Sequence, residues 1–165
     1  MVPDFFVAFI FIFRGIFLYL PYIKTHGMGT HSRIGKLLPN GKVRSVYCHY
    51  DGYVQGGVGE DLHTHYQDES KIDALLDLGN LSGIGKDIGE KQDFYDFPTI
   101  NPDWCLAYGR DRGQAGQEAK ETTLHDYETN LNWEYIYLHK EGKWYFIDAN
   151  QRMYSGWQDL SETLS

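Results

Sequence analysis

Residues 47–53, Tyr-Cys-His-Tyr-Asp-Gly-Tyr, bring a thiol, an imidazole and a carboxylate into four consecutive positions. His49 could act as a general base that Asp51 orients, and Tyr47 and Tyr53 could contact the same ligand. The alternative is structural: Asp51 begins a turn, and His49 is a half-buried residue that makes hydrogen bonds. His49 and Asp51 are therefore candidates for catalysis or binding, and the sequence alone assigns neither role.

Two nearby histidines extend this segment toward a metal site of the kind that zinc occupies. The candidate ligands are Cys48, His49, Asp51, His63 and His65. If residues 60–66 form a helix, His63 and His65 lie about 200° apart around its axis and cannot both face one ion. Cys48 and His49 are neighbours in a predicted strand and point to opposite faces, which also separates a thiol nucleophile from its base. We predict no metal site and no other cofactor.

A second candidate site follows the predicted strand 104–108, where two arginines flank an aspartate. Arg110, Asp111 and Arg112 lie between Gly109 and Gly113. Together with Arg33, this loop could hold a phosphate or a carboxylate through bidentate hydrogen bonds. The alternative is an exposed ion-pair cluster, which contributes little to stability.

Charge and missing motifs exclude several function classes. The net charge is -8 over 165 residues, so a broad basic surface that binds a polynucleotide is not expected. The sequence has neither the G-x-S-x-G motif of α/β-hydrolases nor a complete P-loop. Its tyrosines and tryptophans could stack on a small nucleotide or contact a protein, although such residues more often fill a core.

The first 27 residues differ from the rest of the chain. They hold eight of the aromatic residues and form an apolar stretch from Phe5 to Leu20 that is interrupted by Arg14. This stretch is short for a membrane helix, which needs roughly 17 to 25 residues, and a secretory signal would need basic residues before it. We expect residues 1–27 to lie outside the native fold, either translated upstream of a true start at Met28 or serving as a membrane anchor; the remaining alternative is an element of the core.

Two hairpins are the clearest elements after Met28. The first joins Arg33–Leu38 to Val43–Tyr50 through an Asn-Gly turn, and the second joins Glu134–His139 to Lys143–Asp148 through Lys-Glu-Gly. Both faces of the second hairpin carry large apolar residues, so it should lie centrally in the sheet.

Helix signals lie between these hairpins. A short helix is expected over residues 60–66, and a second begins after an N-cap at Asp68 and ends before Gly79. A third is expected over residues 124–131, while residues 80–89 and 111–122 should be loops. Together these elements predict one α+β domain over residues 28–165, with a mainly antiparallel sheet of hairpins and two or three helices packed on one face.

Several of these segments resemble a group of small uncharacterised proteins encoded by tailed bacteriophages. The shared motifs are Ser-Arg-Ile-Gly at 32–35, the segment 47–53, His-Tyr at 65–66, Leu-Gly-Asn-Leu-Ser at 78–82, Tyr-Gly-Arg-Asp-Arg at 108–112 and the late Trp-Tyr hairpin. The resemblance extends from Met28 to about Asp148, and Tyr50 stands where the group usually has Trp. It implies a phage setting, but no particular activity, cofactor or catalytic residue.

Two function classes follow. We favour a non-enzymatic binding module in the host cytoplasm that docks on a host or defence protein or holds a small anionic ligand; the sequence is also compatible with a homo-oligomer. The candidate binding residues are Arg33, Tyr47, His49, Asp51, Tyr53, Arg110, Asp111 and Arg112. The alternative is a small enzyme that acts on a phosphorylated or nucleotide substrate, with His49 and Asp51 as base and orienter and with Arg110 and Arg112 as an anion clamp. Attachment to a membrane requires that residues 1–27 be genuine.

Overall fold

The structure, a computed structural model, describes residues 29–130, 132–151 and 156–165. The predicted N-terminal extension, the start at Met28 and the membrane anchor all lie outside these residues. Within them, no helix is both long and apolar enough to cross a membrane.

The described residues form eight strands and four helices. The strands are β1 (Ser32–Leu37), β2 (Lys42–Cys48), β3 (Leu81–Gly83), β4 (Leu106–Ala107), β5 (Lys120–Thr123), β6 (Tyr135–Lys140), β7 (Lys143–Asp148) and β8 (Gln158–Asp159). The helices are α1 (Val58–His65), α2 (Glu69–Asp77), α3 (Leu124–Thr129) and α4 (Leu160–Leu164). This arrangement confirms the predicted α+β class.

Both predicted hairpins are confirmed. Gly41 has a φ of 78° in the turn between β1 and β2. Glu141 and Gly142 have φ values of 52° and 73° in the tight connection between β6 and β7. Two successive residues of positive φ match the right-handed twist of the strands that they join.

All eight strands belong to one sheet, ordered β4-β3-β2-β1-β6-β7-β8, with β5 pairing alongside the first half of β2. The two hairpins meet at the centre, where β1 and β6 run parallel over five residue pairs. The prediction that the second hairpin lies centrally is confirmed for β6. Most of the remaining pairs are antiparallel, as expected.

The two faces of the sheet are covered unequally. On one face, α1, α2 and α4 pack over the larger core, which includes Ile34, Cys48 and Phe146. On the other face, the short helix α3 contributes Tyr127 to a smaller core with Val43 and Leu138. We call this second face the open face, because α3 is the one described helix that contributes to its core, whereas three helices pack over the other face.

Some local predictions were wrong in extent. Residues 80–89 contain β3, and residues 111–122 contain the start of β5, although both segments were expected to be loops. The strand predicted over residues 104–108 is limited to β4, with Trp104 forming only an isolated bridge to Asp87. These strands are two to four residues long and gain their hydrogen bonds from distant partners, so local sequence signals them weakly.

Candidate functional site

The hairpin register places four polar side chains on the open face. Arg33 lies directly opposite Tyr47, and Ser32 lies opposite Cys48. Continuing this register by one residue places His31 opposite His49. Because alternate residues of a strand share a face, His31, Arg33, Tyr47 and His49 lie together at one end of the hairpin.

The phenol of Tyr47 links the two imidazoles. Its hydroxyl lies 2.9 Å from Nδ1 of His31 and 2.5 Å from Nδ1 of His49. Nδ1 of His31 also lies 3.0 Å from the backbone carbonyl oxygen of His49, and the two rings are 4.7 Å apart. Two further rings flank the cluster: Tyr50 meets His49 edge-on at 4.4 Å, and Trp133 lies 5.1 Å from Tyr47.

These contacts fix where the protons lie. A carbonyl oxygen only accepts, so Nδ1 of His31 donates to it. Burial, followed by neighbouring ionisable groups, raises the pKa of Tyr47 to about 12, so its hydroxyl keeps its proton and can donate to Nδ1 of His49. Burial, followed by the charge of His31, lowers the pKa of His49 and favours the neutral ring that accepts this bond. Both Nδ1 atoms are therefore occupied, and each ring has only Nε2 for another partner.

Asp51 belongs to the loop that follows the strand. Its carboxylate accepts a hydrogen bond from the hydroxyl of Tyr53 at 2.9 Å, and its backbone has a φ of 57°. No carboxylate is among the described groups that shift the pKa of His49. The structure thus gives His49 a phenol and a second imidazole as neighbours, and its pairing with Asp51 as base and orienter stays a prediction.

The candidate metal ligands occupy separate environments. Cys48 is fully buried in the larger core, and burial raises the pKa of its thiol to about 12. His63 lines a shallow cleft of about 240 Å³ beside Lys143 and Trp144. Among the residues that the structure describes, no three or more His, Cys, Asp or Glu side chains are grouped so that they could hold a metal ion. Cys48 and Cys105 are both free and buried.

Arg110, which is partly buried, pairs with the buried Asp111. The guanidinium of Arg110 contacts both oxygens of Asp111, at 2.8 and 3.0 Å, and donates to the carbonyl oxygens of Ile88, Gly89 and Cys105. These contacts involve all five of its N–H donors. An anion could reach Arg110 only by displacing one of these contacts.

The carboxylate of Asp111 fastens two segments of backbone. Its oxygens accept hydrogen bonds from the backbone N–H groups of Gln92, at 2.8 Å, and Ala107, at 2.7 Å. The buried side chain of Gln92 then reaches the backbone of Asn101, at 2.7 Å, and of Cys105, at 3.3 Å. We call Gln92, Arg110 and Asp111 the polar anchor, because they close both ends of the irregular loop 92–101.

Arg112 has the opposite environment. It is exposed, its Nε donates to the hydroxyl of Tyr95 at 2.9 Å, and its guanidinium lies between 5.4 and 5.9 Å from the rings of Phe94, Tyr95 and Tyr108. Tyr95 and Phe97 are 67% and 74% exposed, and they are the exposed large hydrophobic residues of the described chain. We call Phe94, Tyr95, Tyr108 and Arg112, which contact one another, together with the exposed Phe97 of the same loop, the aromatic surface.

The sequence reasoning overlooked several of these residues. His31 could have been found, because counting back from the Asn-Gly turn pairs it with His49. The roles of Gln92, Phe94, Tyr95 and Phe97 had no local signal, since they depend on how an irregular loop packs against β4.

The described geometry therefore contains two separate features: the His31–Tyr47–His49 cluster on the open face and the aromatic surface held by the polar anchor. Comparison with protein-family models, with curated proteins and with solved structures finds no match to this chain. The resemblance to the phage-encoded group stays a prediction that rests on the motifs quoted above.

Proposed function

We propose that this protein is a non-enzymatic binding module that docks on a host or defence protein in the host cytoplasm during phage infection. The observation that carries the proposal is the aromatic surface, where Tyr95 and Phe97 are 67% and 74% exposed. Leaving large apolar side chains in water is unfavourable, because the free energy of burying them is not gained, and these two side chains do not fill the core.

The composition of this surface suits protein recognition. Tyrosine, phenylalanine and arginine are enriched at protein interfaces, and tyrosine and arginine supply a large share of binding energy there. Arg112 adds a guanidinium that packs against aromatic rings. The N–H groups of this guanidinium could donate to a carboxylate or carbonyl oxygen of the partner.

The polar anchor supports the same interpretation. Because Gln92 and Asp111 hold both ends of loop 92–101, Tyr95 and Phe97 are displayed on backbone that is already ordered. An ordered loop loses less conformational entropy on binding than a free one. Arg110 serves this scaffold, whereas an anion clamp in an enzyme would need its donors to be available.

Cellular setting is part of the proposal. The motif resemblance supports a phage protein, and two free buried cysteines suit a reducing compartment. The net charge of -8 disfavours a polynucleotide as the partner.

Photo-crosslinking in bacterial cells tests the docking proposal. Benzoylphenylalanine is incorporated at Phe97 or, as the matched control, at Thr64, an exposed residue of α1. We expect a discrete adduct with a host protein from position 97 only, reduced more than about tenfold when Tyr95→Ser is added, as for a residue central to an interface. Identical adducts from both positions, adducts only with a second copy of the chain, or no adduct would overturn the proposal.

A further inference from the structure

The His31–Tyr47–His49 cluster is a second site that the docking proposal does not use. Among the described residues, no hydrogen-bond partner contacts Nε2 of either imidazole. Nε2 of His139 is fully buried and has no hydrogen-bond partner, and neither Nε2 of His31 nor Nε2 of His49 is among the described atoms in that situation. Both histidines are half-buried, and within the described chain each Nε2 is without a partner while both Nδ1 atoms are fixed by internal hydrogen bonds.

The proton positions determine which ligand would fit. His49 accepts from Tyr47 at Nδ1, so its Nε2 carries a proton and donates. His31 donates from Nδ1, so its Nε2 accepts when the ring is neutral and donates when the ring is protonated. A phosphate group in its monohydrogen form offers the complement, with an oxygen that accepts from His49 and a hydroxyl that donates to His31.

Arg33 and Glu134 bring opposite charges to the neighbourhood of the imidazole pair. Arg33 lies on the same face, opposite Tyr47, with Nε held by Ser45 at 3.0 Å and its carbon 4.9 Å above the ring of Tyr127. These contacts hold the guanidinium toward Ser45 and Tyr127, and its two terminal nitrogens have no acceptor within the part of the chain that the structure describes. Glu134 opposes this charge, since its carboxylate accepts from the backbone N–H of His31 at 2.9 Å.

Gly29 lines the space in front of both rings. A Cβ at this position would lie 3.0 Å from the backbone oxygen of His49, 3.2 Å from Cε1 of His31 and 3.5 Å from Nε2 of His49. The absence of a side chain leaves room beside both imidazole edges, and a methyl group there would partly fill it.

We propose that the Nε2 atoms of His31 and His49 bind a phosphate group, with Arg33 adding a positive charge on the same face. The phosphate could be free or could belong to a nucleotide, whose base could stack on the neighbouring ring of Tyr50.

Nitrogen-15 NMR of the imidazoles of the full chain, titrated with inorganic phosphate against chloride at equal ionic strength, tests the site. We expect saturable shifts of both Nε2 resonances, with affinity lowered about tenfold or more by His49→Gln, as for loss of a hydrogen bond to a charged group. His125→Gln, a change at an exposed histidine of α3, is the matched control and should leave affinity unchanged. No saturable shift, or an equal loss in the control, would overturn the proposal.

Two further variants keep the test decisive if His49→Gln folds poorly. Gly29→Ala should weaken phosphate binding by steric block, while its spectrum retains the bond between Tyr47 and His49. Glu134→Gln should strengthen phosphate binding, because it removes a repelling charge. If Glu134→Gln instead weakens binding, or if the shifts require added Zn²⁺, the site binds cations and the proposal fails.

Comparing inorganic phosphate with adenosine monophosphate identifies the source of the group. Tighter binding of adenosine monophosphate, lost in Tyr50→Leu, supports a nucleotide ligand, and equal affinities support free phosphate. Because this site uses none of the aromatic surface, its outcome is independent of the crosslinking result.

Discussion

Two arginines flank one aspartate, and the structure gives them opposite environments. Arg110 is 19% exposed at its side chain, is paired with the buried Asp111 and is surrounded by backbone carbonyl oxygens. Arg112, two residues later, lies on aromatic rings at the surface. The difference shows that acceptors brought by distant segments, here Ile88 and Gly89, decide whether an arginine holds the fold together or is displayed to a partner.

The largest effect should come from removing the charge at the centre of the polar anchor. Asp111→Asn leaves Arg110 without a counter-charge and turns an amide NH₂ toward one of the two backbone N–H groups, of Gln92 or Ala107, that need an acceptor. We expect a loss of about 3 kcal/mol in the free energy of unfolding, as when one partner of a buried ion pair is removed. Urea denaturation measures it through the midpoint at constant slope.

Glu90→Gln is the matched control for that substitution. Glu90 is an exposed carboxylate that precedes the same loop, so its loss changes the net charge equally and should leave the midpoint nearly unchanged. If Asp111→Asn and Glu90→Gln shift the midpoint by similar amounts, the anchor does not stabilise the loop in the way that the contacts indicate.

A smaller effect is expected when the guanidinium alone is replaced. Arg110→Lys keeps the positive charge beside Asp111 but offers three N–H donors in place of five, so at least two acceptors lose their bonds. We expect about 2 kcal/mol of destabilisation from hydrogen bonds left unmade. A stability equal to that of the parent protein would show that charge, rather than donor geometry, holds the loop. The urea midpoint provides the measurement.

The sequence predicted the parts of the fold that local signals specify. Asn40-Gly41 indicated the turn of the first hairpin. Asp68 caps α2 by accepting from the backbone N–H groups of Ser70 and Lys71, as expected. The parallel pairing of β1 with β6 joins segments about a hundred residues apart and had no local signature. The short strands β3 and β5 were overlooked for the same reason.

The sequence predicted which residues form the candidate site but not which groups those residues contact. Arg33, Tyr47 and His49 lie on one face as their alternation requires, but the second imidazole at His31 follows only from the exact register of the hairpin. The Arg-Asp-Arg motif was recognised as a cluster of charges. The sequence could not show that all N–H donors of Arg110 are used, because the acceptors at Ile88, Gly89 and Cys105 are backbone groups of other segments.

The smallest effect on stability, and the sharpest test of the comparison, should come from Arg112→Met. The methionine keeps an apolar stem over Phe94 and Tyr95 but removes the guanidinium, whose exposed contacts with rings stabilise the fold by no more than about 1 kcal/mol. The urea midpoint should therefore change much less than in Arg110→Lys, although the charge lost lies only two residues away. In the crosslinking experiment, the same variant should reduce the adduct from position 97, because an exposed arginine contributes to binding of the partner rather than to stability of the fold. A large loss of stability with an unchanged adduct would reverse the roles that we assign to the two arginines.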